Sequence, residues 1–73
     1  MLTIIDCGIC SGYSQDDHWN SNGPAKAAIG RTARTLAEAR RIVARAAKPG
    51  NVTGSPVWLR CRNQYGDIIE DEC

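Results

Sequence analysis

Thr35-Leu36-Ala37-Glu38-Ala39-Arg40-Arg41-Ile42-Val43-Ala44-Arg45-Ala46-Ala47-Lys48-Pro49-Gly50 is the stretch that decides the fold. Thr35, followed three residues later by Glu38, is a capping-box start. A basic residue, a proline and a glycine in succession supply the stop. Between these signals, good helix formers predict a helix over 36–47. At about 100° per residue, Leu36, Val43 and Ala47 share one face, with Ala39 and Ala46 on its flank. Arg34, Arg41 and Arg45 gather on the opposite side, next to Glu38, while Arg40 falls near the apolar edge where its stem can cover a core. Such a helix packs on something flat, and its alanines let it lie close.

Moving toward the C-terminus, Asn51 to Ser55 is a turn-rich link and Pro56 suits a first strand position. Val57-Trp58-Leu59-Arg60-Cys61-Arg62 reads as a strand, Asn63-Gln64-Tyr65-Gly66 as a turn, and Asp67-Ile68-Ile69-Glu70 as the returning strand. Alternation puts Val57, Leu59 and Cys61 on one face and Trp58, Arg60 and Arg62 on the other. If the helix covers the first face, the second is an open aromatic–basic surface with Tyr65 in the adjacent turn. Toward the N-terminus, 27–33 is ambiguous between a short strand and a helical turn. Residues 8–24 are dense in turn formers, a long loop for a small domain, and Leu2 to Cys7 is a strand. The expected architecture is α+β: a single helix packed on a small antiparallel or mixed sheet, in the order β(β)αββ, forming one domain over 1–73.

With 73 residues the chain holds one small domain. That excludes a multidomain enzyme and a dinucleotide-binding fold. Hydrophobic residues make up 42%, but aromatics only 5% and phenylalanine is absent, so the core is thin and a staple or partner would help it. Trp19, in the polar loop, is the candidate to plug the edge of such a core. No basic leader precedes an apolar run, and no stretch has the length of a membrane span. The expectation is a cytoplasmic protein with no membrane partner.

The formal charge of +1 conceals strong segregation. Residues 1–25 contain Asp6, Asp16 and Asp17 and no basic residue. All the Lys and Arg lie in 26–62, against Glu38 alone, and the tail carries Asp67, Glu70, Asp71 and Glu72. A field of this kind steers a charged partner, unless the tail neutralises the middle within the fold.

The four cysteines admit three readings. Cys7-Gly8-Ile9-Cys10 could hold zinc, with His18 or Cys61 completing a tetrahedral set; a parallel run of the first strand and the 56–62 strand would help by bringing their ends to one edge. The pair following a strand, with Ser55-Pro56-Val57 further on, is also similar to glutaredoxins; that likeness implies Cys7 as nucleophile, Cys10 as resolving thiol and Pro56 as the loop proline. The favoured reading is structural: free cysteines serving as small buried hydrophobes at sheet positions. No cofactor is expected. Ser14, Asp16, Asp17 and His18 share one loop rather than the rigid frame that general-base chemistry needs, and no nucleotide-binding or metalloprotease motif occurs. The chain is therefore expected not to be an enzyme.

From Ala33 onward, Ala-Arg-Thr-Leu-Ala-Glu-Ala-Arg-Arg-Ile-Val-Ala-Arg-Ala-Ala, then Val57-Trp58-Leu59-Arg60 and Gly66-Asp67-Ile68-Ile69-Glu70, resembles small phage-encoded proteins, in layout certain type I-F anti-CRISPR proteins. The resemblance covers about the last 40 residues. It implies a non-catalytic inhibitor that docks on a host Cas nucleoprotein complex and blocks nucleic-acid binding. The residues expected at the contact are Arg34, Arg41 and Arg45 on the helix, Trp58, Arg60 and Arg62 on the sheet, and Asp67, Glu70, Asp71 and Glu72 in the tail. The partner is expected to be a host protein or ribonucleoprotein complex; direct nucleic-acid binding is disfavoured because the tail would repel phosphate.

Overall fold

The computed structural model describes residues 1–10, 23–51 and 54–72. His18, Trp19, the rest of loop 11–22 and Cys73 lie outside the described residues. Along the chain come β1 (Leu2–Ile9), a 3₁₀ turn (Gly23–Ala28), β2 (Thr32–Ala33), α1 (Leu36–Ala47), a second 3₁₀ turn (Lys48–Gly50), β3 (Val57–Arg62) and β4 (Ile68–Asp71). The strands form one sheet in the order β2-β1-β3-β4. Every pairing is antiparallel, and α1 packs on one face. The class is α+β. Among the described residues no helix is long and apolar enough to cross a membrane.

Local signals built α1 as read. Thr35 adopts an extended conformation, and its Oγ1 accepts the Glu38 backbone N–H at 3.1 Å, satisfying one orphan donor of the first turn. The inward stripe is Ala39, Val43 and Ala47, all fully buried; Leu36 is only half-buried at the helix entrance. The hairpin also follows its turn chemistry. Asn63 Oδ1 accepts the N–H groups of Tyr65 and Asp67, each at 2.9 Å, and Gly66 takes φ +88°, which glycine alone adopts without strain.

β1 and β3 run antiparallel, with Ile4 opposite Cys61 and Cys7 opposite Leu59, so the two strands do not end at one edge as a parallel pair would. The register shifts between Ile4 and Asp6, where Ile5 is an extra residue. Strict alternation from Leu2 and Ile4 would turn Asp6 into the core. The bulge instead brings Cys7 inward and leaves Asp6 outside. The core consists of Leu2, Ile4 and Cys7 from β1, Val57, Leu59 and Cys61 from β3, Ala33, the helix stripe, and Ala25 and Ala28 of the first 3₁₀ turn. That turn was not foreseen. It supplies a second lid beside α1 on the same face of the sheet.

Candidate functional site

The structure divides the ten predicted contact residues into two groups. Arg60 and Glu70 face each other across β3 and β4, with Nε 3.0 Å from Oε1, close enough for an ion pair but not aligned as a hydrogen bond. Arg60 is also in register with Asp6 on β1, so it lies between two carboxylate-bearing strands. Asp71, on the helix side of β4, forms an ion pair with Arg40, whose stem crosses the apolar edge as the helix projection placed it. Two of the four tail acids therefore meet arginines of the basic middle.

Trp58 differs from its expected role. The helix covers the Val57/Leu59/Cys61 face, yet the Trp58 ring on the other face is only 9% exposed. It packs on Gly8, its cross-strand partner: a Cβ built at Gly8 would sit 2.6 Å from Trp58 Nε1. Gly8 leaves the indole room that a Cβ would fill, and among the described residues the buried indole N–H has no hydrogen-bond partner. A ring so placed covers Gly8 on the face of the sheet opposite the helix and is not an exposed platform. On the same face Arg62 is exposed, between Thr3 and Ile68 in register. Tyr65, Asp67 and Glu72 are exposed nearby.

Arg34, just before α1, and Arg41 and Arg45 on α1 are exposed, and among the described residues none of them forms an ion pair. Arg31, which the sequence reading did not single out, joins them. Its backbone is held at both ends, the N–H donating to Ala28 O at 3.0 Å and the carbonyl accepting from Ile4 N at 2.9 Å. Arg31, Arg41 and Arg45 line an open groove of about 420 Å³ between α1 and the first 3₁₀ turn, over Ala28, Ile42 and Ala46. Arg34 does not line it. No local signal could have found Arg31's role, because it depends on the 3₁₀ turn folding back against α1.

The cysteines part company. Cys7 and Cys61 are free and fully buried, and Cys7 Sγ donates to Ala25 O at 3.1 Å. Burial, with Asp6 and then Cys61 adding to it, pushes the Cys7 thiol up from 9.0 to about 11. Burial, then Asp71, also raises Cys61. Nucleophilic thiols need the opposite shift and an exposed position. Cys10, whose N–H donates to Pro56 O at 2.7 Å, is disulfide-bonded, which corrects the expectation of free cysteines throughout. Cys7 is thus a core residue and Cys10 a staple. Among the described residues no three His, Cys, Asp or Glu groups are arranged to hold a metal ion.

Comparison of the chain with family models, with characterised proteins and with solved structures gives no match.

Proposed function

We propose that this chain is a non-catalytic binding protein of the anti-CRISPR type, which docks on a host Cas nucleoprotein complex in the cytoplasm and blocks its nucleic-acid binding by occlusion. The observation that carries the reading is the division among the arginines. Among the described residues, Arg40 and Arg60 are matched by tail carboxylates, whereas Arg31, Arg41 and Arg45 gather along one groove with no ion pair; Arg34 and Arg62 are exposed elsewhere. Arg41 and Arg45 lie one helical turn apart, where like charges cost a helix about 0.2–0.5 kcal/mol. Glu38, three residues before Arg41, offsets part of this cost, and among the described residues no ion pair engages Arg41 or Arg45, so the face suits an external partner. Its field would speed encounter with an acidic surface, and the bound domain would then cover what it touches.

The test is direct. A purified type I Cas surveillance complex is incubated with the chain at low salt, separated by size, and offered its target DNA. Co-elution of the chain, loss of DNA binding and release of the chain at high salt are the expected results. A complex that elutes without the chain and binds DNA normally would defeat the proposal.

A further inference from the structure

The groove between α1 and the first 3₁₀ turn has a composition that selects its occupant. Its rim carries three guanidinium groups, from Arg31 on one bank and Arg41 and Arg45 on the other. Its floor is aliphatic: Ala28 is buried, and Ile42 and Ala46 are half-buried. The groove is open, with a volume of about 420 Å³. We infer that this groove receives an acidic peptide segment of the partner protein, with carboxylates on Arg31, Arg41 and Arg45 and an aliphatic side chain on the Ala28–Ile42–Ala46 floor. The inference rests on the binding-protein reading above and names what that surface recognises.

Three features favour a peptide over a phosphate chain. Guanidinium groups pair with either anion, but an aliphatic floor has no use for a phosphodiester. Bases need aromatic platforms, and among the described residues none that lines the groove is aromatic. Glu38, also on the rim, repels phosphate but can accept a peptide N–H or a basic side chain. It gives the groove a polarity that a mixed peptide can match and a uniform polyanion cannot.

Both banks are held before binding. Arg31 is pinned by backbone hydrogen bonds to Ala28 and Ile4, and α1 is capped by Thr35. Little ordering cost then remains beyond the arginine side chains themselves.

The test uses a fluorescently labelled peptide of alternating glutamate and leucine, its glutamine–leucine counterpart, and a single-stranded oligonucleotide of equal length, titrated at low salt. Saturable binding of the glutamate peptide is expected, at least about tenfold tighter than the glutamine peptide and weakened about tenfold in Arg41→Gln/Arg45→Gln. Arg62→Gln, on the opposite face, should bind as the native chain does. No saturable binding, equal affinity for both peptides, or displacement of the peptide by the oligonucleotide would each overturn the inference. The peptide comparison needs no protein variant, so it holds even where a substitution disturbs folding. Assay of Arg41→Gln/Arg45→Gln against the Cas complex separates the two claims. Undiminished docking there sinks the groove and spares the binding-protein reading. Peptide binding by a native chain that ignores the complex does the reverse.

Discussion

The β3–β4 hairpin and the outer side of α1 treat charge in opposite ways. On the hairpin side, Arg60 meets Glu70 and Arg40 reaches Asp71, so acid and base that lie far apart in the chain are brought together by the sheet. On the helix side, Arg31, Arg34, Arg41 and Arg45 are exposed, and among the described residues that line the groove Glu38 is the one acid. The net charge of +1 therefore does not describe the surface a partner would meet. Ion pairing within the fold and exposed basic side chains both occur, in different places.

If the two regions differ in role, substitutions in one should move stability and in the other affinity. The largest expected effect is at Gly8. Gly8→Ala drives a methyl group into the buried Trp58 ring and should cost about 1–3 kcal/mol in urea unfolding, as overpacking does; affinity for an acidic peptide should not change. Arg41→Gln/Arg45→Gln should do the converse, losing about 1.4 kcal/mol of binding, or tenfold, with stability held within about 0.5 kcal/mol. Thr35→Ala removes the helix cap and should lower stability by about 1 kcal/mol.

A gentler effect comes from Cys7. Its thiol ionises near 9.0 when unfolded and at about 11 when folded, so the unfolded chain releases its proton first. Stability should then fall as pH rises from about 9 to 11 and be insensitive to this group below that window. Replacing Cys7 by alanine should flatten that part of the profile, seen in unfolding midpoints across pH. Smallest is Asp71→Asn, because the Arg40–Asp71 side chains are about a third exposed. A loss under about 1 kcal/mol is expected. A larger loss would mean that the hairpin depends on its charges more than its exposure suggests.

The helix and the hairpin were legible in the sequence because their signals are local. Thr35 and Glu38, Lys48-Pro49-Gly50, and the alternation from Val57 to Arg62 act within a few residues. What escaped depends on contacts made at a distance. The bulge at Ile5, which turns Cys7 into the core, follows from pairing with β3 rather than from β1's own pattern. The burial of Trp58 requires Gly8 to lie opposite, and that register is invisible until antiparallel pairing is known. The 3₁₀ turn at Gly23–Ala28 has no apolar period to announce it, only alanines that become core once α1 lies beside them. Arg31 was missed for the same reason. Of the candidate contact residues, the helix arginines could be found because exposure follows from helical period. The ion pairs of Arg40 and Arg60 could not, since the first depends on how α1 packs against β4 and the second on the β3–β4 register.

The most direct measurement is amide chemical-shift mapping of the chain during titration with the glutamate–leucine peptide. If the unmatched arginine face is the contact surface, the perturbed amides will cluster at Arg31, Thr32, Arg41, Ile42 and Arg45, while Gly8, Trp58 and Arg62 stay in place. Shifts centred instead on Arg62, Tyr65 and Ile68 would contradict the account, by moving the contact surface to the hairpin.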